Sequence, residues 1–287
     1  MPMHEWRHSE DQAARLRERA MAHSTPSRVA LPRIWAVTSG KGGAGKSVVA
    51  LNFALTLCEM GRTVLLVDAD ENLGKLDVMV GQSPAVRIPD VLSGSADLDA
   101  AYIRPFTGLA ILAGSSGSLN YPEITDMERL RFIDRIASSA SGFTDVVYDT
   151  GAGIGSKVVI YAAAADETIV VVNPEPVSVL DAYAVIKLIS AKNTGVALNI
   201  VMNRSLAPAE SDDTAAKLQK AVRHFLSSDV RYLGLVPYDE NVGRSVVRQS
   251  PLVRAYPSSP AAVAIRTIAQ KGLRSSVNYH QQELAIV

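Results

Sequence analysis

Residues Gly40 to Ser47 read GKGGAGKS, and an octapeptide of this composition can bind phosphate. It satisfies GxxxxGK[ST] and lies between a β-branched run, IWAVT, and a segment of helical period, the setting such a loop needs. Gly40, Gly42, Gly43 and Gly45, with Ala44 between the last two, let backbone amides turn inward as a nest at a helix N-terminus, where the dipole also favours negative charge. Lys46 can then reach the β and γ phosphates of a nucleotide, and the Ser47 hydroxyl is placed to coordinate Mg²⁺. Lys41 is an additional cation, one that a loop of this kind does not require.

Acidic residues follow two further apolar runs. VLLVD continues as DAD, so Asp68 and Asp70 leave the carboxyl end of a strand, where open α/β sheets bind ligands. DVVYD closes on Asp149, an apolar strand ending in a carboxylate that can hold Mg²⁺, often through water. The TGAGIG after it contains Gly151 and Gly153, which allow a backbone amide to approach a γ phosphate and allow the segment to move after hydrolysis. Asn203, ending the LNIVM run, and Pro237 and Tyr238, after LGLVP, fall at the same sheet edge and are candidates for the base end of the site.

Positioning these groups at one edge requires a particular fold. From Arg33 onward, short β-branched runs alternate with segments of helical period, the pattern of a sheet covered by helices on both faces. Strands are expected from about Ile34, Val64, Leu109, Asp145, Thr168, Leu198 and Leu233, without period-two alternation because both faces are buried. Helices are expected over Lys46–Met60, Asp126–Ser139, Ser156–Ala165, Val179–Ala191, Asp212–Leu226 and Pro260–Lys271. The fold class is α/β, a doubly wound, mostly parallel sheet of about seven or eight strands. Residues 33–271 form the domain, residues 1–32 a flexible segment with a helix-prone stretch, and residues 272–287 a tail with little helical period.

Composition narrows the setting. Lys plus Arg and Asp plus Glu are both 29, so net charge supplies no whole-protein argument for nucleic acid or lipid. The single cysteine, Cys58, excludes an intrachain disulfide and any cluster built from several thiolates of one chain. No stretch approaches the roughly 20 apolar residues that span a bilayer, and no secretory signal is legible, so a cytoplasmic protein is expected. Residues 241–287 carry Arg244, Arg248, Arg254, Arg266, Lys271 and Arg274 against the one acid Glu283. That basic balance leaves peripheral contact with anionic membrane and contact with DNA both open.

GKGGAGKS resembles the deviant phosphate loop, KGGxGK[ST], of the MinD/ParA class, which implies a P-loop NTPase fold of the SIMIBI class with ATP and Mg²⁺ as cofactors. The resemblance implies that Lys41 crosses an ATP-dependent homodimer interface to the partner's nucleotide, and that Asp70 positions the attacking water. It further implies that Asp68 supports the Mg²⁺ environment, and that Asn203 and backbone atoms near Pro237 and Tyr238 read adenine. Iron proteins of the class need paired cysteines, which this chain lacks. DADENLGKLDVMVG, DTGAGI, NPEPVSVLDAYAVIK and VGRSVVRQSPLVRAYPSSPAA are similar to the flagellar members called FlhG, FleN or YlxH.

DQAARLR, Asp11 to Arg17, resembles the N-terminal segment with which that flagellar group stimulates a signal-recognition-type GTPase, FlhF. The resemblance makes Asp11, Gln12, Leu16 and Arg17 partner-binding residues, with Gln12 entering the partner's catalytic site, and makes flagellar switch or regulatory proteins further candidate partners. Two other functions stay in view. A partitioning ATPase on nonspecific DNA accounts for the core and the basic C-terminal stretch but not for DQAARLR. A non-hydrolysing scaffold conflicts with the intact Lys46, Ser47, Asp70 and Asp149.

Overall fold

The computed structural model describes residues 31–71, 74–115 and 124–284, with side chains through Arg274. The chain divides between Leu31 and Pro32, and the fold below is that of the second unit. Asp11, Gln12, Leu16 and Arg17 lie outside the described residues.

Eight strands form one sheet: β1 (Arg33–Ser39), β2 (Val64–Ala69), β3 (Tyr102–Phe106), β4 (Leu109–Leu112), β5 (Asp145–Ala152), β6 (Glu167–Val172), β7 (Ala197–Ser205) and β8 (Val230–Pro237). Their order is β3-β4-β2-β5-β1-β6-β7-β8. Every pairing is parallel except β3 with β4. All parallel strands therefore deliver their carboxyl ends to one edge, and β1 lies between strands that the chain reaches in opposite directions, the switch point where α/β sheets open a crevice.

The helices are α1 (Lys46–Glu59), α2 (Leu76–Met79), α3 (Ile88–Leu92), α4 (Asp126–Ser139), α5 (Ser156–Ala163), α6 (Pro176–Lys192), α7 (Pro208–Leu226), α8 (Glu240–Val247), α9 (Leu252–Ala255) and α10 (Pro260–Leu284). They cover two separate cores, one on each face of the sheet. Along β1 the alternation is explicit: Trp35 and Val37 face the core containing α1 and α10, and Ala36 faces the core containing α5 and α6. α1 is apolar nearly all round, with Val49 through Leu57 buried, as expected of a helix enclosed between sheet and α10. α4 begins on a capping box in which Thr125 accepts from the Glu128 amide and Glu128 accepts from that of Thr125.

The structure corrects several sequence expectations. β3, reading YIRPF, is an additional edge strand whose Pro105 and Arg104 interrupt any apolar run. Helices α6 and α7 begin at Pro176 and Pro208, a turn earlier than expected, because proline is favoured in a first helical turn. β8 begins at Val230. α10 continues through Leu284, past the expected end at Lys271, so the stretch after Lys271 is helical despite its lack of apolar period. No helix among the described residues is long and apolar enough to cross a membrane.

Four of the C-terminal arginines make contacts within the chain. Arg266 is held by Glu59 at 2.8 Å and by the carbonyls of Pro257 and Val253. Arg244 pairs with Glu240 at 3.0 Å, Arg248 donates to the Tyr256 hydroxyl at 3.1 Å, and Arg254 stacks on Phe106.

Candidate nucleotide site

The phosphate loop joins β1 to α1. Gly45 adopts φ 90°, which L side chains rarely adopt, and no side chain caps the helix that follows. The amides of the first turn of α1 are thus left to an external acceptor, which is the donor set a phosphate chain requires. Gly42, Gly43, Ala44, Gly45, Lys46 and Ser47 line one cavity of about 500 Å³, which Asp70 also lines.

Gly40 has a different duty from its neighbours. A Cβ there would lie 2.3–2.5 Å from the backbone carbonyl and Cβ of Asp181, so the absence of a side chain is what lets α6 pack against the loop. Asn203 buttresses the loop from the other side, donating from Nδ2 to the Ala44 carbonyl at 2.7 Å. Its Nδ2 would stand 2.2 Å from a Cβ on Gly45, so a side chain there would displace the Asn203 amide from the loop.

The two lysines are placed differently. Lys46 is buried, with Nζ 3.0 Å from Asp149 Oδ1 and 3.3 Å from Ser47 Oγ. Lys41 points away from its own loop's cavity and pairs with Glu175 at 2.5 Å, at the entrance to α6. Two lysines five positions apart therefore serve two sides of the loop.

Asp68 and Asp149 are register partners across β2 and β5, and burial raises both carboxyls above the ordinary range. For Asp149 the charge of Lys46 and a hydrogen bond from Ser47 oppose that rise. Asp68 Oδ2 accepts from the amides of Lys75 and Leu76 at 2.7 and 3.0 Å, so its carboxylate holds the turn into α2. Asp70 lies beyond it, 3.8 Å from Lys75 Nζ, and a Cβ on Gly151 would be 3.8 Å from Asp70 Oδ1. Gly151 thus belongs to the end of β5 and faces Asp70.

Among the described residues no cluster of three His, Cys, Asp or Glu side chains could hold a metal alone. Ser47 and Asp149, with phosphate oxygens, would supply the ligands of a Mg²⁺ ion, a hard cation that prefers few protein ligands.

Asn203, Pro237 and Tyr238 meet at a second cavity of about 720 Å³, completed by Arg204, Val242 and Val246. It adjoins the phosphate cavity through Gly45, Val48, Arg204 and Val246. Two adjoining cavities, one lined by the P-loop, leave room for an elongated phosphorylated ligand across the end of β7.

The CobQ/CobB/MinD/ParA nucleotide-binding domain matches residues 35–252. The chain belongs to this family. It is 36% identical over 239 residues to the antiactivator FleN of Pseudomonas aeruginosa, spanning 83% of this chain and 85% of FleN. It is 34% identical to the flagellum site-determining protein YlxH of Helicobacter pylori, spanning 82% and 79%. Among solved structures, MinD of Pyrococcus horikoshii with Mg-ADP superposes with a TM-score of 0.71 at 25% identity, covering 84% of this chain and 96% of that one. The chain is accordingly a P-loop ATPase of the MinD/ParA type, with ATP and Mg²⁺ as its cofactors.

Sequence reasoning missed three contributors in this family site. Glu175 is the partner of Lys41. Lys75 approaches Asp70. Arg129, buried on α4, grips Glu71 through two bonds of 2.6 and 2.7 Å and so anchors the residue next to Asp70. Glu175 and Lys75 lie within stretches singled out in the sequence, NPEPVSVLDAYAVIK and DADENLGKLDVMVG, whereas Arg129 had no such local signal.

Proposed function

We propose that this protein is an ATP-dependent dimerising switch that regulates the number or placement of flagella. The observation that carries the reading is the division of labour between the lysines. Lys46 faces Asp149 inside the site, while Lys41 stands outside it, on a lip made with the start of α6, where Val177 and Leu180 are exposed. An apolar lip carrying a cation suits a second copy whose triphosphate presents the complementary charge. Similarity to FleN and YlxH over about four-fifths of the chain supports the flagellar assignment.

In this reading the α1 amides and Lys46 bind the phosphates, Ser47 and Asp149 hold Mg²⁺, and Asp70 orients water. A Mg²⁺ ion held by Ser47 and Asp149 would supply neutralisation of phosphate charge. Hydrolysis is slow, proceeds without a covalent intermediate, and releases the protomers. The segment containing Asp11, Gln12, Leu16 and Arg17 stimulates a signal-recognition-type GTPase such as FlhF. The DNA-partitioning reading is disfavoured because it leaves the DQAARLR segment unaccounted for.

Size measurement of Asp70→Ala with ATP and with ADP, and of the same protein carrying Lys41→Ala, tests the switch. A dimer with ATP alone that is lost with Lys41 is the expected result. A monomer under both nucleotides removes the homodimer. GTPase stimulation lost on removal of residues 1–31, with ATP binding retained, tests the partner assignment.

A further inference from the structure

Arg204 is built into the seam of the nucleotide site in a manner the family resemblance does not account for. It follows Asn203 at the end of β7 and has φ 57°, one of three non-glycine described residues in the left-handed region. The pairing of β7 with β8 goes from Asn203↔Val236 directly to Ser205↔Pro237, so Arg204 is the extra residue of a β-bulge. A left-handed conformation costs an ordinary side chain about 1–2 kcal/mol, and such strain persists where the surroundings or a function require it.

The bulge places Arg204 on the wall of both cavities, the one containing Asn203, Pro237 and Tyr238 and the one containing Lys46 and Asp70. Of the four residues common to the two, Gly45, Val48, Arg204 and Val246, it alone is charged. The other cations at the site have partners: Lys46 has Asp149, Lys41 has Glu175 and Lys75 has Asp70. Arg204 has no hydrogen-bond or ion-pair partner among the described residues.

A nucleotide with its base in one cavity and its terminal phosphates in the other crosses the seam at the 5′ side of its ribose. The anionic group there is the α phosphate, which Lys46, directed at the β and γ positions, does not serve. We infer that Arg204 is a nucleotide-binding residue that holds the α phosphate, retaining the diphosphate as well as the triphosphate. The proposal rests on the nucleotide-site reading and adds to it a cation dedicated to the phosphate common to both forms.

Binding of MgADP and MgATP is measured by calorimetry for the wild-type chain, Arg204→Asn and Arg204→Lys, in low and high salt. Asparagine tolerates the left-handed backbone, so Arg204→Asn removes the cation while keeping the bulge, and matching melting temperatures verify the fold. The expected result is about tenfold weaker binding of both nucleotides by Arg204→Asn, the scale of one lost charge-assisted contact. Arg204→Lys recovers most of the loss, and salt narrows the gap between Asn and wild type. Unchanged binding by Arg204→Asn overturns the proposal. So does a deficit that Lys does not repair and salt does not reduce, because that loss comes through packing. If the wild-type chain binds neither nucleotide, it is the nucleotide-site reading itself that falls.

Discussion

Lys46 and Cys58 sit on the same helix and illustrate opposite uses of burial. The Lys46 ammonium is buried 3.0 Å from Asp149 and at the mouth of an uncapped helix, so its replacement removes the cation proposed to bind the nucleotide's phosphates. Lys46→Ala is expected to abolish measurable MgATP binding while leaving the circular dichroism spectrum of the fold intact. Burial instead pushes the Cys58 thiol up to about 11, with hydrogen bonds opposing only in part. The folded state then holds its proton more tightly than the unfolded chain does. The contribution to stability is complete below the ordinary thiol pKa and is lost as pH rises through about 11. Alkylation of Cys58 at pH 8 should accordingly be slow in the native protein and fast after unfolding, as mass spectrometry would follow. A native rate equal to the unfolded rate would show an exposed, reactive thiol.

At the scale of elements, the β1 to α1 junction works because α6 lies directly on Gly40. Gly40→Ala places a methyl group within 2.3–2.5 Å of Asp181 backbone and side-chain atoms, and neither can move without shifting α6. A cost of about 1–3 kcal/mol is expected from this overpacking, read as a lower unfolding midpoint. ATP affinity should fall as well, because the clash is relieved only by moving α6 or the phosphate loop that begins at Gly40. An unchanged midpoint would mean that the contact is loose. This duty was not visible in GKGGAGKS, where Gly40 reads as one more phosphate-loop glycine. The loop and its helix were legible because the motif is contiguous. The Lys41 to Glu175 pair spans 134 positions, and the Arg129 to Glu71 clamp spans 58, separations over which charge pairing leaves no pattern. β3 was hidden for a local reason: as an antiparallel edge strand it needs no apolar run and can carry Pro105. The end of α10 escaped because Ser, Asn and Gln give a helix no apolar stripe to recognise.

Across the whole molecule, chemistry and stability occupy opposite edges of one sheet. The nucleotide residues leave the carboxyl ends of β1, β2, β5, β7 and β8, while the amino ends of β1, β5, β6, β7 and β8 meet in a buried polar network. There Asp145 accepts from Trp35 Nε1 at 3.0 Å and pairs with Arg62. Glu167 pairs with Arg33 and Arg231 and accepts from Asn199 at 3.0 Å, while Arg33 stacks 3.9 Å over Trp35. Glu167 thus joins residues of four neighbouring strands, β1, β6, β7 and β8, with a single carboxylate. Glu167→Ala would leave two partly buried guanidinium groups without it, and removal of one partner from such a pair costs about 3–5 kcal/mol. The expected outcome is a marked loss of stability in denaturant titration with little change in MgATP affinity below the transition, because the nucleotide lies at the far end of every strand involved. A parallel loss of affinity in the still-folded variant would mean that strain travels the length of the sheet, and that the two edges are coupled.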